Sequence, residues 1–381
     1  MDENTNRENG GGKQHARQRK TLTVTVDTEK LLRALSEALG EQAANVLPEL
    51  IADGEENMEQ LQQQLEALTV TSNRSTFSMP QSKVWQHQQD IARVGAQGMP
   101  VNVGGHSKAT QVYINARISD ANGNPIELTQ TMKDVQRAVG NLIDDNGGIA
   151  ALPLFVTAAQ VYRAAAGLKP DTLVTPEQQR ETESALDRLM DYPCIVNFKA
   201  QLEKHANIQQ QPDYDYTAED AGKLKGHLVI ASKVEGGVAY HGRDLPVVYK
   251  IYEYPTLYRY SHLVGQMEQV EKRLLAGATI ALPDGTSNQR RTLDYTAVRS
   301  YILQEVLVMK RQRARRKSFE NKIKVADVVE ACKLNITPRT RRTLIKNMGL
   351  YLTELKQAGE ISQATMIIAD RGRVDGYEVT L

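Results

Sequence analysis

The sequence predicts an α+β fold in which a helix–turn–helix followed by a β-hairpin occurs twice. Two observations lead to this prediction. From about residue 293 to residue 381 the pattern runs through a long amphipathic helix, a basic run, a short helix, a turn, a second helix and a terminal hairpin. The Thr-Pro-x-x-x-Arg motif that opens the second of these two paired helices at Thr337 also occurs at Thr175, 162 positions earlier. Two copies of one fold explain this repeat more simply than two unrelated folds.

Local signals set the ends of the helix that begins near Thr337. A threonine is a favoured N-cap because its side-chain oxygen can accept a hydrogen bond from a backbone N–H of the first turn. Pro338 fits the first helical position, where the N–H that proline lacks would have no partner. Gly359 stands where a left-handed residue ends a helix. These signals predict a helix over about residues 338–358.

A β-hairpin is predicted after this helix. The segments 361–368 and 376–381 are typical of paired strands, and the residues 370–373, Asp-Arg-Gly-Arg, form the tip between them. A helix–turn–helix with such a hairpin is a winged helix, in which the hairpin tip is the wing. The same reading of the first copy yields a fold of two winged-helix domains in tandem.

The predicted helix has two chemically different faces when its residues are placed at intervals of about 100°. The buried stripe consists of Leu344, Met348, Leu352 and Leu355. The opposite face carries Arg339, Arg342, Thr343 and Lys346. A helix with an apolar stripe and a cationic outer face suits insertion into the major groove of DNA. Arg341 lies nearer the apolar stripe, so we assign it to a phosphate at the helix N-terminus.

The charge of the surrounding sequence favours a polyanionic partner over an ordinary solvated helix face. Between Lys310 and Lys346, thirteen Lys or Arg residues stand against three acids, a balance of +10. The whole chain carries +1, so the remainder sums to −9. Such asymmetry is the electrostatic footprint of a nucleic acid. The basic run predicted to contact phosphates is Lys310, Arg311, Arg313, Arg315, Arg316 and Lys317. A solvated linker or an import-like signal is the alternative reading of this run. On the wing, Arg371 and Arg373 are placed to follow the adjacent backbone or minor groove.

With 381 residues, 40% of them hydrophobic, the chain has room for two or three packed domains. We predict a disordered basic tail over residues 1–20 and a strand, helices and a linker over residues 21–105. Two winged-helix domains follow, over residues 106–280 and 281–381. The linker, residues 73–105, is expected to be polar with few core residues. The front end is expected to be a small helical or coiled oligomerisation segment, with a ribbon-helix-helix module as the alternative.

The first copy is predicted from its own capping signals and apolar positions. Capping boxes are expected at Thr157 and Thr175, each with a glutamine three residues later. A strand is expected over 194–198, and a hairpin with a long tip over 227–234 and 247–254. At an offset of 162, Leu186 aligns with Met348 and Met190 aligns with Leu352. Residues 175–198 should therefore repeat the connectivity of residues 337–368.

The outer faces of the two copies differ in charge. Glu177 stands where the second copy has Arg339, Glu181 where it has Thr343, and Ser184 where it has Lys346. Carboxylates at these positions would repel phosphate, so the first copy should not read DNA through this helix. With Asp187, these acids form an outer face that, together with the helical front end, predicts a homodimer.

The tandem arrangement resembles plasmid-type replication initiators with two winged helices. The resemblance rests on Asp244-Leu-Pro-Val-Val-Tyr-Lys-Ile-Tyr-Glu-Tyr-Pro-Thr-Leu-Tyr258 leading into Tyr301-Ile-Leu-Gln-Glu-Val-Leu-Val-Met-Lys310, and it covers roughly residues 110–381. It implies that the C-terminal domain binds repeated origin sites in double-stranded DNA. It also implies that the first domain supplies the dimer interface and looser DNA contacts. A replication initiator would recruit host proteins such as the helicase. The front end of about 100 residues departs from this family.

No cofactor, metal or catalytic residue is expected. The sequence contains no Gly-x-x-x-x-Gly-Lys-Ser/Thr loop. Its seven histidines never form a His-apolar-His pair, and Cys194 and Cys332 lack partners at metal-ligand spacing. The tyrosines between Tyr240 and Tyr260 are expected to be packing residues. No stretch approaches the ~20 apolar residues of a membrane span, so a cytoplasmic protein without membrane contact is expected.

Two alternatives to a replication initiator remain at this point. A transcriptional regulator of a mobile element or phage could use the same winged helices at an operator. A nuclease or recombinase with a tyrosine nucleophile belongs to a different class, and a covalent DNA adduct would identify it.

Overall fold

In a computed structural model of the protein, the chain divides into two compact units, residues 1–52 with 236–246 and residues 53–235 with 247–381. The structure describes residues 74–104, 110–170, 172–204, 214–215, 218, 220–240, 243–276, 293–315, 320–369 and 372–381. Apart from 236–240 and 243–246, these residues belong to the second unit. The predicted tail and the predicted strand and helices before residue 74 lie outside the described residues. The predicted border between residues 280 and 281 lies outside them too.

Residues 74–104, the first that the structure describes, form part of the core. It forms β1 (Thr76–Pro80), α1 (Lys83–Gln86), α2 (Gln88–Val94) and β2 (Met99–Asn102). Phe77, Met79, Trp85 and Ile91 are all buried. The expectation of a polar connection with few core residues was therefore wrong for residues 74–104. The reason is that each short element buries only one or two apolar side chains, so the sequence shows no apolar run.

The first of two similar modules spans residues 130–253. Its principal elements are α3 (Gln130–Asp145), β4 (Leu154–Val156), α4 (Ala158–Ala165), α5 (Pro176–Asp191), β7 (Ile230–Tyr240) and β8 (Arg243–Glu253). The strands form a three-stranded sheet in the order β4-β8-β7. Both predicted capping boxes are present, at Thr157 and at Thr175. The long hairpin tip expected between residues 234 and 247 was wrong, because the strands extend to Tyr240 and from Arg243.

An insertion separates α5 from β7. It contains β5 (Pro193–Asn197), α6 (Lys199–Lys204) and β6 (Lys223–His227). With β3 (Tyr113–Ile118), these strands build an antiparallel sheet in the order β2-β3-β5-β6. This second sheet is not part of the repeat.

The second module spans residues 293–380. Its elements are α9 (Leu293–Ala314), β10 (Lys322–Lys324), α10 (Val325–Cys332), α11 (Pro338–Gln357), β11 (Gln363–Ile368) and β12 (Val374–Thr380). Its sheet has the order β10-β12-β11. Between the modules lie α7 (Thr256–Leu263), β9 (Met267–Glu271) and α8 (Lys272–Ala276), and β9 pairs antiparallel with β1.

The two modules share one connectivity. In each, the order is helix, strand, helix, helix, strand, strand, and the last strand lies in the middle of the sheet. The strand-by-strand repeat expected for residues 175–198 was nevertheless wrong. The strand that follows α5 is β5, and it pairs with β3 and β6 instead of β4. The counterpart of β11 is β7, which lies beyond the insertion.

Each module has its own apolar core. The larger core includes Trp85, Val139, Leu186 and Tyr258, whereas the other includes Phe77, Ile302, Met348 and Leu352. Helices α3 and α9 connect the modules through buried polar groups. The hydroxyl of Ser300 on α9 donates to the carboxylate of Asp134 on α3. Among the described helices, none is long and apolar enough to cross a membrane.

Candidate nucleic-acid interface

The ends of α11 agree with the sequence signals. The Thr337 hydroxyl oxygen accepts a hydrogen bond from the Thr340 backbone N–H at 3.2 Å, and Pro338 is the first helical residue. Gly359 follows the helix with a φ of 77°, in the left-handed region that glycine tolerates best. The prediction of this helix and of its boundaries is confirmed.

The inner face of α11 is the predicted apolar stripe. Leu344, Met348, Leu352 and Leu355 are all buried, and Tyr351 joins them. Burying such a stripe against α9 and the sheet sets the rotation of the helix about its axis. The opposite side chains must therefore point away from the core.

The outer face of α11 carries the four residues predicted to face DNA. Arg339, Arg342, Thr343 and Lys346 are all exposed. The side chains of Arg339, Arg342 and Lys346 make no hydrogen bond or ion pair with any residue that the structure describes. Three cations are thus presented together on one helix face without a protein counter-charge.

Arg341 has a contact that the sequence did not predict. It is half-buried, and its Nη2 donates to the backbone oxygen of Val374 at 2.8 Å. Because Val374 begins β12, this bond holds the hairpin against the first turn of α11. The phosphate contact assigned to Arg341 stays a prediction for its remaining N–H groups.

The hairpin predicted after α11 is present. β11 and β12 pair antiparallel from Gln363↔Thr380 to Ile368↔Val374. Arg373 is exposed beside Gly372, whose φ is 72°. Arg371 lies outside the described residues.

The members of the basic run differ in their contacts with the rest of the protein. Lys310 forms an ion pair with Glu360, and Arg311 donates to the backbone oxygen of Gln81 at 2.8 Å. Arg313 donates to the backbone oxygen of Leu381. At about 100° per residue, neighbouring positions of α9 point in different directions, so a run in sequence cannot form one stripe on a helix.

Of the same run, Arg315 is the exposed member that makes no side-chain contact within the described part of the chain. Arg316 and Lys317 lie outside it. Three members of the run therefore make contacts within the protein, and the phosphate contacts assigned to the run stay a prediction.

The counterpart helix α5 presents a different outer face. Glu177, Glu181 and Ser184 are exposed there, as the alignment of the two copies predicted. Leu186 is buried like Met348, whereas Met190 is only half-buried and Leu189 takes the inner position.

Asp187 does not belong to an open acidic face. Its Oδ1 accepts from the Tyr249 hydroxyl at 2.9 Å, and its Oδ2 pairs with Lys233 Nζ at 3.0 Å. These contacts join α5 to the two long strands of its own module. The acidic surface predicted to support a dimer is therefore limited to Glu177 and Glu181.

A second cationic surface was missed by the sequence analysis. The outer face of the β2-β3-β5-β6 sheet carries exposed Arg117, Lys223 and Lys225. Arg117 pairs in register with Ile195, which pairs with Lys225, so the cations lie on one face of the sheet, on β3 and β6 with β5 between them. None of the three side chains has a partner among the residues described. Tyr113, 51% exposed, lies on the same face.

A glycine next to this face leaves space for one of its cations. A Cβ on Gly98 would come within 2.6 Å of Arg117 Cγ, so the glycine lets the arginine lie against the residue that precedes β2. The sequence signal was present as alternation: Tyr-Ile-Asn-Ala-Arg over 113–117 and Lys-Leu-Lys over 223–225 place polar residues at every second position.

The tyrosine-rich segment packs as predicted only in part, because Tyr252 is 43% exposed and the side chain of Tyr240 lies outside the described structure. Tyr249, Tyr258 and Tyr260 are fully buried, and burial beside Asp144 raises the pKa of Tyr258. The Tyr254 hydroxyl donates to Asp144 Oδ1 at 2.6 Å. Within the described residues, no group of three His, Cys, Asp or Glu side chains is placed to hold a metal ion.

Comparison with known proteins locates similar solved structures only. No protein-family model matches the sequence, and no curated protein matches it. Two crystal structures of domains 2 and 3 of RctB match it in part. One, of selenomethionine derivatives, has 12% identity and a TM-score of 0.29, covering 75% of this chain and 91% of that chain. The other, of RctB residues 155–483, has 11% identity and a TM-score of 0.31, covering 74% and 90%. TM-scores this low assign neither fold nor function.

Proposed function

We propose that the chain is a sequence-specific double-stranded DNA-binding protein, a replication initiator of a plasmid or mobile element with two winged helices in tandem. One observation carries the DNA-binding part. Arg339, Arg342 and Lys346 extend from one face of α11 without a protein partner among the described residues, while the opposite face is fully buried. A cationic face held so rigidly is suited to an anionic surface of defined shape.

The spacing of these residues fits the major groove. Positions 339, 342, 343 and 346 follow the i, i+3, i+4, i+7 pattern of one helix face in the first half of α11. Recognition helices contact base edges through their N-terminal residues. A helix of about 10–12 Å diameter also matches a groove about 12 Å wide. We assign Arg339 and Arg342 to base edges, with Thr343 and Lys346 beside them.

The hairpin supports the same docking. Arg341 holds the start of β12 against the first turn of α11, so the wing moves with the reading helix. Arg373 then follows the neighbouring phosphates or minor groove. Because both surfaces belong to one rigid group of elements, a single orientation on the duplex satisfies both.

The first module contributes looser contacts through its second sheet. Glu177 and Glu181 on α5 would repel phosphate, so we do not assign that helix as a reading helix. The cations Arg117, Lys223 and Lys225 face the same way on one sheet and carry no acid beside them in the register. We assign the auxiliary DNA contacts to this sheet face.

The initiator role rests on the resemblance to plasmid-type initiators. In that role the protein binds repeated origin sites as part of a homodimer–monomer equilibrium and recruits host proteins such as the helicase. A plasmid that carries the gene with its neighbouring repeats should replicate autonomously, and should cease to do so when Arg339 and Arg342 are both changed to alanine. Replication that persists in the double variant would contradict the proposal.

Two further measurements separate the alternatives. A transcriptional regulator would bind its site equally well but would not support replication of such a plasmid. For the dimer, sedimentation at tens of micromolar should show self-association that weakens without residues 1–73, a truncation that keeps β1 and the core residues after it. A monomer in both samples would dismiss the dimer and leave DNA binding in place.

A further inference from the structure

A positively charged cleft lies away from the outer face of α11. It has a volume of about 260 Å³ and opens where α1, the residue before β9 and the last turns of α9 come together. Lys83 and His87 line it from the front segment, and Arg311 and Arg315 line it from α9. None of its ten lining residues, all within the described chain, is an aspartate or a glutamate.

Two guanidinium groups lie one helical turn apart at this cleft. Arg311 donates through Nη1 to the backbone oxygen of Gln81 at 2.8 Å, which leaves most of its five N–H donors unused by that bond. Burial and then the charge of Arg315 lower the pKa of Arg311, with Glu268 acting in the opposite direction. An anion between the two arginines would offset their repulsion and accept from both forks.

Arg315 is the more accessible of the two. Its side chain is exposed and makes no hydrogen bond or ion pair with another described residue. Lys83, by contrast, donates from Nζ to the backbone oxygen of Asn102 at 2.5 Å, which fixes its ammonium group at the cleft. Lys83 is fixed by its hydrogen bond and Arg315 is exposed to solvent, so a ligand that enters from solvent would meet both cations.

Uncharged groups complete the lining. Gln81, Gln86, Gln266 and Gln312 supply amides, and Val103 and Val308 supply apolar surface. The side-chain amide of Gln81 is buried and has no partner at either atom within the described structure. Both of its amide atoms are inaccessible, so the half-buried Gln86, Gln266 and Gln312 are the amides that a ligand would meet. Amides can bond to the edge of a base or to a sugar, and small apolar walls can pack against them. A phosphate alone would need neither.

We propose that this cleft binds a small phosphorylated ligand of the size of a mononucleotide, with its phosphate between Arg311 and Arg315. Small-molecule sites are commonly about 300–1,000 Å³. At about 260 Å³ the cleft lies just below this range, which favours one nucleotide over a larger cofactor. Its concave shape and mixed lining distinguish it from the exposed, convex face of α11 that we assign to duplex DNA.

Ligand binding would connect two parts of the fold. The phosphate would contact the end of α9, while the remainder of the ligand would contact residues 81–87 of the front segment. The ligand binds the folded chain and should therefore raise its melting temperature, with the logarithm of its concentration once this exceeds the Kd. It would also neutralise two cations of the basic run.

The test is isothermal titration calorimetry of the full chain with AMP, GMP, CMP, UMP and pyrophosphate, with sulfate as an anion control. We expect one site that prefers at least one mononucleotide over pyrophosphate and sulfate. Arg315→Gln should weaken that binding by about tenfold or more, the effect of losing one charge-assisted hydrogen bond. Arg313→Gln is the matched control on the same helix, because Arg313 contacts Leu381 and lies outside the cleft lining; it should bind like the parent.

Three results would overturn the inference: no binding of any mononucleotide at millimolar concentration, equal binding of sulfate, or equal losses in Arg315→Gln and Arg313→Gln. Circular dichroism checks that both variants fold. Duplex binding by the same variants is measured separately, since it depends on Arg339 and Arg342 instead. Failure of the cleft would therefore leave the proposed DNA-binding function intact.

Discussion

Helices α5 and α11 occupy the same place in two modules of one connectivity, yet α5 exposes carboxylates at outer positions where α11 exposes none. Both begin with a threonine N-cap followed by proline. Both bury an apolar residue at the corresponding position, Leu186 in one and Met348 in the other. Where α11 exposes Arg339, α5 exposes Glu177. The buried positions thus determine how each helix packs in its module, and the outer positions determine what the helix can bind.

The two helices also hold their strands differently. In the second module, the side chain of Arg341 bonds to the backbone of Val374. In the first, the carboxylate of Asp187 bonds to the side chains of Tyr249 and Lys233. A backbone acceptor is available whatever residue occupies β12, whereas the Asp187 contacts need particular side chains. The first module has therefore committed part of its acidic face to internal contacts.

The largest expected effect tests whether the two helices contribute equally to the stability of their modules. Leu352→Ala and Leu186→Ala each remove a fully buried side chain. Each should lower the free energy of unfolding by ~2–5 kcal/mol, because the lost apolar contact is accompanied by a cavity. Urea unfolding of both variants measures this. A loss below ~1 kcal/mol in one module alone would show that its helix is not packed as described.

The next effect compares two arginines at equivalent positions. Arg342 and Arg180 are each the arginine of a Thr-Pro-x-x-x-Arg motif, and both are exposed. Arg342→Ala should weaken binding to the specific site by ~1–3 kcal/mol and weaken binding to random DNA less, since a bidentate contact to guanine is lost. Arg180→Ala should change neither by more than ~0.5 kcal/mol. Fluorescence anisotropy with specific and random duplexes measures both. A larger loss for Arg180 would place the reading helix in the first module.

A third comparison separates sequence-specific recognition of DNA from nonspecific attraction to its phosphates. Changing Arg117, Lys223 and Lys225 together to glutamine should weaken specific and random duplexes alike, on the order of tenfold at moderate salt. The slope of log K against log salt should fall by up to about three, because each lost phosphate contact releases about one counterion fewer. An unchanged slope would remove the sheet face from the DNA interface, while a change in site preference would make it a second reading surface.

The smallest effect is expected on the acidic helix. Glu177→Ala together with Glu181→Ala should alter specific DNA binding by less than ~0.5 kcal/mol, since α5 faces away from the duplex in our proposal. The same pair should weaken self-association if that face contributes to the dimer. Sedimentation and anisotropy on one preparation give both answers. Loss of site recognition in this variant would reverse our assignment of the two helices.

The elements that the sequence predicted best are those set by neighbours in the chain. Thr337, Pro338 and Gly359 mark the ends of α11 through bonds within a few residues, and a helical repeat marks its buried stripe. These signals work because capping and periodicity are local. The four residues assigned to the outer face of α11 were placed correctly for the same reason.

The elements that the sequence concealed depend on distant partners. β1 pairs with β9 across nearly two hundred positions, from Thr76↔Glu271 to Pro80↔Met267. Five residues with two apolar side chains give no signal until their partner is known. The insertion between α5 and β7 was hidden in a similar way, because β5 looks like any strand and only its pairing with β3 removes it from the repeat.

The sequence by itself determined where the cations of this protein lie along the chain, that α11 has an apolar and a basic side, and that α5 does not share its charge. Helical geometry suffices for these conclusions, because a side chain's direction on a helix follows from its position. Only the tertiary structure decided which cations remain open. Lys310, Arg311 and Arg313 are taken up by Glu360, Gln81 and Leu381, residues 50 or more positions away, whereas Arg117, Lys223 and Lys225 come together across strands. Contacts between distant residues depend on the packing of whole elements, and no local pattern records that packing.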